Sequence, residues 1–205
     1  MPSRNIARLD ASDSYYHVYS RGINKSAVLL DTADKDYFLY LLSRHLSKEQ
    51  TISTKGYLYP HFRGKLELLS FCLMDNHFHL LFYQHEKGAI SEMMQSVLTA
   101  YTAYYNRRHS RKGPLFESRF KSSIIDNDAY LIHISRYIHL NPRYWRRYPY
   151  SSFRHIEKAI EPSWLQSEKV LLQHNNSRVS YESFVADYED HKNMLSRLKH
   201  QLADT

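Results

Sequence analysis

The sequence predicts an α+β fold: a ferredoxin-like βαββαβ antiparallel sheet with packed helices and a helical C-terminal extension. Two observations predict it. Short segments with strand-type alternation occur between segments with helical spacing, and their order along the chain is strand, helix, strand, strand, helix, strand, followed by a third helix. The apolar fraction of 42% is enough for a real core. We expect a main domain at residues 1–155, with its core over residues 14–142, and an extension at residues 156–205.

The core is expected to open with a strand and a helix. Residues 14–25, SYYHVYSRGINK, are typical of a strand that runs into a glycine turn. Residues 32–48 carry apolar side chains at helical spacing, which indicates a first helix. Thr32 or Asp34 offers the side-chain oxygen that caps such a helix.

A loop and a two-stranded hairpin come next. Residues 51–65 have the composition of a loop that holds a short hairpin. Residues 66–74 and 77–83 form two apolar segments of strand length. Asp75 and Asn76 separate them, and these are residue types that tight turns favour.

A helix, a strand and a further helix complete the predicted core. Residues 89–109 form an amphipathic helix that ends in a basic turn, and residues 114–126 indicate a strand. Residues 127–142 indicate the last helix, which Asn127 or Asp128 can cap and which ends before proline.

The C-terminal extension contains a second amphipathic pattern. Its apolar side chains recur at intervals of four and three residues, which predicts a helix that needs a partner surface. The expected partner is the protein's own core, with another protomer as the alternative. The members of this stripe are Phe184, Tyr188, His191, Leu195, Leu198 and Leu202.

Composition narrows the class of protein. The chain has 28 basic and 21 acidic residues, a net charge of +7, together with 18 tyrosines. Basic and aromatic side chains together suit a nucleic-acid partner. The single cysteine, Cys72, excludes an intramolecular disulfide framework. Without a signal peptide or an apolar run long enough to span a membrane, the expected location is the cytoplasm.

The stretch CLMDNHFHLLF places two histidines in an apolar strand. Side chains two apart in a strand share one face, so His77 and His79 are expected to stand side by side, with Phe78 opposite. Two imidazoles so placed are able to hold one metal ion. They are equally compatible with two surface histidines of an edge strand.

The last core helix supplies a second set of polar groups. Tyr137 and Asn141 lie four residues apart and therefore share a helix face. Across the strands, the Asn141 oxygen would complete a three-ligand site with His77 and His79, with Tyr137 beside it. Tyr130 is a rival for the tyrosine role. His133 is a rival for the third ligand or a proton acceptor, and a core tyrosine and a helix-terminal asparagine are the plainer alternatives.

Such a site has a defined chemistry. A phenol is a weak nucleophile at neutral pH. A divalent cation makes its phenolate more accessible and polarises a bound phosphate. The phenolate can then attack phosphorus and form a phosphotyrosine, which stores the bond energy needed for rejoining. Two imidazoles and an amide oxygen suit Mg²⁺ or Mn²⁺, whereas imidazoles alone would also accept Zn²⁺ or Ni²⁺.

Five stretches, YHVYSRGINK, CLMDNHFHLL, YYNRRHSRKGPLFESRFKS, YLIHISRYIHLNP and YPYSSFRHI, together resemble a known family. They are similar to the single-tyrosine HUH transposases, in particular the REP-associated tyrosine transposases of bacteria. The resemblance implies a ferredoxin-like fold and metal-dependent cleavage and rejoining of single-stranded DNA beside hairpins. It implies that His77, His79 and Asn141 bind the metal ion and that Tyr137 is the nucleophile.

The chain departs from the family pattern at three places. Asp75 stands where the family usually has proline, and an acid there would either tune the ion or only serve the turn. RYWRR follows LNP where the family tends to have Val-Arg-Ala-Gly, which adds cations. Residues 51–65 are longer than the family pattern leads us to expect. None of these departures removes a group with a predicted catalytic role.

Single-stranded or hairpin DNA is the expected partner, and self-association is left open. Unpaired bases are expected to stack on Tyr144, Trp145 and Phe116. Basic residues cluster around the motif segments and are expected to contact phosphates, which position a strand without reading it. They are Arg21, Lys25, Arg107, Arg108, Arg111, Lys112, Arg119, Lys121, Arg143, Arg146 and Arg147.

The sequence leaves three functions to compare. The first is a metal-dependent single-stranded DNA endonuclease and strand transferase that acts through Tyr137. The second is a catalytically silent, domesticated protein that binds DNA hairpins and regulates. The third is a metal phosphodiesterase that uses activated water, which would form no covalent protein–DNA species.

Overall fold

The structure, a computed structural model, describes residues 10–160 and 162–188. Its centre is a four-stranded sheet in the order β2-β3-β1-β4, and every neighbouring pair is antiparallel. This is the order that a ferredoxin-like βαββαβ connection produces, so the predicted fold class is confirmed. The strands are β1 (Ser14–Arg21), β2 (Leu66–Met74), β3 (His77–Gln84) and β4 (Lys121–Ile125).

Helices cover both faces of the sheet. Short 3₁₀ helices occur at Ile23–Lys25 and Trp145–Arg147, and residues 178–188 are helical. In the described part of the chain no helix is both long and apolar enough to cross a membrane. The α-helices are α1 (Thr32–Leu46), α2 (Ala89–Arg108), α3 (Asp128–His139), α4 (Phe153–Lys158) and α5 (Glu168–Leu172).

Polar side chains cap the N-termini of α1 and α3, which lie on either side of the sheet. Asn127 caps α3, since its side chain accepts a hydrogen bond from the backbone N–H of Tyr130, as predicted. The predicted cap of α1 is wrong. Asp31 is the capping residue, and it accepts from the N–H of Asp34. The helix therefore begins at Thr32, which lies inside its first turn.

Strand alternation divides the core into two layers. On one face Val18, Phe78 and Leu80 pack with α1 and α2 in the larger apolar cluster. On the other face Leu81 and Cys72 pack under α3. Leu131, Ile134 and Ile138 supply the apolar side of α3, as their spacing predicts. The site residues that project from β1 and β3 toward α3 share this second face.

Two predicted segments differ from the structure in detail. The strand predicted at residues 114–126 is confined to β4, because the preceding residues only form an isolated bridge between Phe116 and Gly22. The short hairpin predicted within residues 51–65 is present as a bridge between Ile52 and Leu58.

The described part of the extension packs on the main domain and shares its second core layer. Tyr181 and Val185 are fully buried beside the apolar side of α3. α4 spans both sides of the predicted boundary between residues 155 and 156. Phe184 lies against this core, as the stripe predicts. The remainder of that stripe, from His191 to Leu202, lies outside the described residues.

A buried hydrogen-bond chain ties α3 to the extension. The Ser152 hydroxyl donates to His139 Nε2 at 2.6 Å, and His139 Nδ1 donates to the Tyr181 hydroxyl oxygen at 2.7 Å. Tyr181 donates to Ser135 at 3.1 Å, and Ser135 donates to the Ile132 carbonyl. Burial lowers the pKa of His139 to about 3, so its ring is neutral and each nitrogen has one matching partner.

Replacing Tyr181 with Phe is expected to lower the free energy of unfolding by about 1–3 kcal/mol, because the buried N–H of His139 loses its acceptor. Urea denaturation measures this change. Tyr57→Phe is the matched control, since Tyr57 is 72% exposed and should change stability by less than about 0.5 kcal/mol. Equal stabilities for the two variants would show that the network does not hold α3.

Candidate active site

The two histidines of the NHFHLL stretch lie at the start of β3, directly after the turn at Asp75 and Asn76. Their rings are 5.0 Å apart between centroids. Both project toward α3, whereas Phe78 between them packs in the opposite layer. His77 is partly buried and His79 is 5% exposed. The pair therefore shares one face, as the alternation predicts.

Neighbouring groups fix the orientation of the His77 ring. Asn76 donates from Nδ2 to the Lys25 carbonyl at 3.2 Å, which turns its Oδ1 toward His77 Nδ1 at 2.6 Å. A neutral imidazole has a single N–H, so this contact places the proton on Nδ1. His77 Nε2 keeps its lone pair and faces Asn141 Oδ1 at 3.0 Å.

His79 has one ring nitrogen engaged and one available. Its Nδ1 lies 2.8 Å from Nε2 of His17, which is on β1. Any ion bound by His79 must therefore be held by its Nε2. His17 was not among the residues that the sequence predicts for the site.

Tyr137 stands above these rings on α3. Its ring meets His79 edge to face, with centroids 5.3 Å apart and planes at 80°, and it lies 6.2 Å from His17. The side chain is 49% exposed, so its hydroxyl can reach a ligand in solvent. The apolar side chain of Ile138 and the hydrogen bonds of His139 hold the helix that carries it.

Asn141 lies just beyond the end of α3. Its backbone N–H is 3.4 Å from the Ile138 carbonyl, so the chain continues as a turn and brings the amide back over the sheet. The C-terminal end of a helix carries a partial negative charge that favours cations. The end of α3 thus offers an amide oxygen, a hard donor, in a field that favours cations.

These donors fit a divalent cation. His77 Nε2 and Asn141 Oδ1 are 3.0 Å apart, and in the tautomer with the proton on Nδ1 both atoms present a lone pair. A divalent cation would be held between these two atoms. In octahedral coordination at about 2.1 Å, adjacent ligands are about 3 Å apart. In the described ranges no group of three or more His, Cys, Asp or Glu residues is suited to a metal ion. The set of His77, His79 and Asn141 is of a different kind, because its third member is an amide.

Both histidines are in the protonation state that metal binding requires. Burial lowers the pKa of His77, an effect that its contact with Asn141 opposes. Burial lowers the pKa of His79 further, and the neighbouring His17 and His77 rings add to the shift. Neutral imidazoles at pH 7 offer lone pairs without first losing a proton.

The rival residues occupy other surroundings. Burial raises the pKa of the partly buried Tyr130, which makes it a poorer nucleophile. His133 Nδ1 accepts a hydrogen bond from Arg136 at 2.7 Å and does not contact His77 in the described structure. Asp75 pairs with Lys35 at 2.6 Å, so its carboxylate is engaged by α1.

The predicted phosphate contacts fall into three groups. Arg21 pairs in register with His77, and Lys121 pairs with Tyr19, so these two exposed cations flank the site on the sheet. Lys25 lines a neighbouring hollow, and Arg119 is exposed just before β4. The second group ends α2, and the third follows α3. Their members are Arg107, Arg108, Arg111 and Lys112, and Arg143, Arg146 and Arg147.

Some predicted contacts are already used within the fold. Arg108 binds both Asp31 and Asp34 at 2.7 Å, which ties the end of α2 to the start of α1. Arg111 donates to the Pro114 carbonyl and closes the basic turn. Arg146 lies over the Trp145 ring, and its Nε is 3.5 Å from Glu182.

Two of the three predicted stacking residues are not accessible. Trp145 is 2% exposed and packs against Phe153, with ring centroids 4.6 Å apart, and Phe116 is 8% exposed. The prediction that these two rings stack on bases is wrong in this conformation, because they complete the core. Tyr144 is 72% exposed and remains available to a base.

Comparison with protein families gives a match over residues 61–141, to the family described as Transposase IS200 like. That range contains His77, His79, Tyr137 and Asn141. The chain resembles the IS200-like transposases. The resemblance inferred from the sequence is therefore confirmed, and the match indicates a DNA transposase-like function. No curated protein matches the sequence.

Comparison with solved structures gives two further likenesses. One matching structure is described as a REP-associated tyrosine transposase bound to a REP hairpin. It is 14% identical, the alignment covers 78% of this chain and 89% of that one, and the TM-score is 0.54. A putative transposase from Deinococcus radiodurans is 17% identical over 64% of this chain and 93% of its own, with a TM-score of 0.39. The first likeness, to the structure with a TM-score of 0.54, supports the α+β fold of this chain.

Proposed function

We propose that the protein is a metal-dependent single-stranded DNA endonuclease and strand transferase, with Tyr137 as nucleophile and His77, His79 and Asn141 as metal ligands. The observation that carries this proposal is the edge-to-face placement of Tyr137 over His79, 5.3 Å between centroids. It brings an exposed phenol to a face where two neutral imidazoles and an amide oxygen converge.

In the proposed reaction Tyr137 supplies the nucleophile, and His77, His79 and Asn141 would hold the metal ion. A bound Mg²⁺ or Mn²⁺ would polarise a phosphate oxygen and favour the phenolate. The Tyr137 oxygen attacks phosphorus, forming a P–O bond as the bond to the 3′ oxygen breaks. The phenol proton leaves to water and the departing 3′ oxygen takes up a proton. The product is a 5′-phosphotyrosine and a free 3′-hydroxyl.

Rejoining is the reverse reaction. A 3′-hydroxyl attacks the phosphotyrosine, the bond to Tyr137 breaks, and the phenol is regenerated. The phosphodiester energy is kept in the covalent intermediate, so no ATP is needed. A hairpin is the proposed substrate because the matching solved transposase is described as bound to a REP hairpin.

Incubation with a 5′-flanked hairpin oligonucleotide tests the proposal. With Mg²⁺ or Mn²⁺ we expect an SDS-stable protein–DNA adduct, and with EDTA we expect none. Cleavage to free product without an adduct would instead favour a metal phosphodiesterase. Tight binding without cleavage in any divalent ion would favour a silent regulator.

DNA affinity should depend on salt as expected for phosphate contacts. If about five phosphates are neutralised on a single strand, the log–log slope should be about −3.5. Arg21→Ala and Lys121→Ala should each reduce its magnitude by about 0.7, because each cation flanks the site. Lys87→Ala, which removes an exposed cation beyond the far end of β3, is the control. A flat salt dependence would contradict the electrostatic account.

A further inference from the structure

His17 occupies the centre of the face under α3. It is 5% exposed and lies on β1, where it pairs with Leu81 in register. His79 is two residues from Leu81 on the same face, so the two histidines are diagonal cross-strand neighbours. The His17 ring also stacks on Tyr19, with centroids 5.0 Å apart and planes at 24°.

Ion binding by His79 would fix the direction of the hydrogen bond between the two rings. His17 Nε2 is 2.8 Å from His79 Nδ1, which leaves Nε2 of His79 to face a ligand. An ion-binding nitrogen must carry a lone pair, so in the ion-binding form His79 carries its proton on Nδ1. His79 then donates and His17 Nε2 accepts. With its lone pair engaged in this way, His17 is not itself free to bind the ion.

His77 has the same pattern of hydrogen bonding as His79. There the Nδ1 proton goes to Asn76 Oδ1 at 2.6 Å, and Nε2 faces Asn141. Each histidine of the pair thus has an acceptor at Nδ1 that leaves a lone pair on Nε2. Partners of this kind set both the tautomer and the ring orientation of metal-binding histidines.

We propose that His17 is a positioning residue that holds His79 in the Nδ1–H tautomer, with Nε2 directed at the ion. The inference rests on the proposed metal site and adds to it a residue on β1. It also gives a role to a histidine that is buried on β1, where its neighbours on the same face are Tyr15 and Tyr19.

The test compares His17→Leu with His17→Gln by titrating the full-length protein with Mn²⁺, without DNA, and following bound ion by electron paramagnetic resonance. Leu has no acceptor, so we expect affinity to fall by about 10–100-fold. The Gln carbonyl oxygen can take the place of Nε2 as acceptor, so that variant should stay within a few fold of wild type. Thermal unfolding without metal reports whether each variant is folded.

The possible outcomes distinguish an error in the proposed metal site from an error in the role of His17. Absence of Mn²⁺ binding by the wild-type protein would overturn both the metal site and the role of His17. Wild-type binding with undiminished affinity in His17→Leu would overturn only the role of His17. Equal losses in folded Leu and Gln variants would also overturn it, because packing and not hydrogen bonding would then be responsible.

Discussion

Replacing Tyr137 with Phe is expected to abolish the covalent protein–DNA adduct, with the rate of cleavage falling by at least about 10³-fold, a loss typical of removing a catalytic nucleophile. The change deletes a single oxygen from a side chain that is 49% exposed. Folding and DNA affinity should therefore be preserved. The measurement is adduct formation over time with a labelled hairpin oligonucleotide in Mn²⁺, alongside binding under the same conditions.

Tyr130→Phe is the matched control for that experiment. Tyr130 lies on the same helix, seven residues before Tyr137, but it is partly buried, and burial raises the pKa of its phenol. This control should form the adduct at close to the wild-type rate. Adduct formation by Tyr137→Phe at the wild-type rate would remove Tyr137 from the mechanism, and loss in Tyr130→Phe alone would transfer the role to Tyr130.

Replacing His77 with Ala is expected to weaken Mn²⁺ binding by more than the roughly 10–100-fold that loss of an outer-shell partner costs, because it removes a direct ligand. His77 is only partly buried, so the change leaves no large cavity. Isothermal titration with Mn²⁺ measures the affinity, and adduct formation should fall with it. His133→Ala serves as control, since His133 is exposed and bonded to Arg136.

Asn141 allows a test of the same site in which one substitution is expected to keep or raise the affinity for the metal ion. Asn141→Asp keeps the shape and supplies a carboxylate, a ligand that Mg²⁺ and Mn²⁺ favour, so its affinity should equal or exceed that of wild type. Asn141→Leu removes the oxygen and should lose affinity. If the Leu variant binds Mn²⁺ as well as wild type, Asn141 is not a ligand. Weaker Mn²⁺ binding by His133→Ala would then indicate that His133 is the third ligand.

The placement of the candidate site followed from local patterns. Period-two alternation put His77 and His79 on one face of β3, and helical spacing put Tyr137 and Asn141 on one side of α3. Both patterns depend only on neighbouring residues, so a single sequence shows them. The apolar strip of α3 indicated a side that can dock on the sheet, and the structure buries Ile138 and its neighbours there.

Features that depend on tertiary contacts were missed. His17 meets His79 only because β1 pairs with β3 in one particular register, which no local signal in SYYHVYSR specifies. Trp145 was predicted to stack on bases, yet Phe153 from α4 packs against its ring and the residue is buried. Asp31 was overlooked as a cap because Thr32 and Asp34 are also capping residue types, and only backbone geometry distinguishes them.

The mass of the protein–DNA adduct after proteolysis tests directly whether Tyr137 is the residue that becomes attached to DNA. We expect a nucleotide attached through a phosphodiester to a peptide that contains Tyr137, formed only with a divalent ion and absent when His77 is replaced. Fragmentation should place the modification on the Tyr137 oxygen. A nucleotide carried by Tyr130 or any other residue, or an adduct that forms equally well in EDTA, would contradict it.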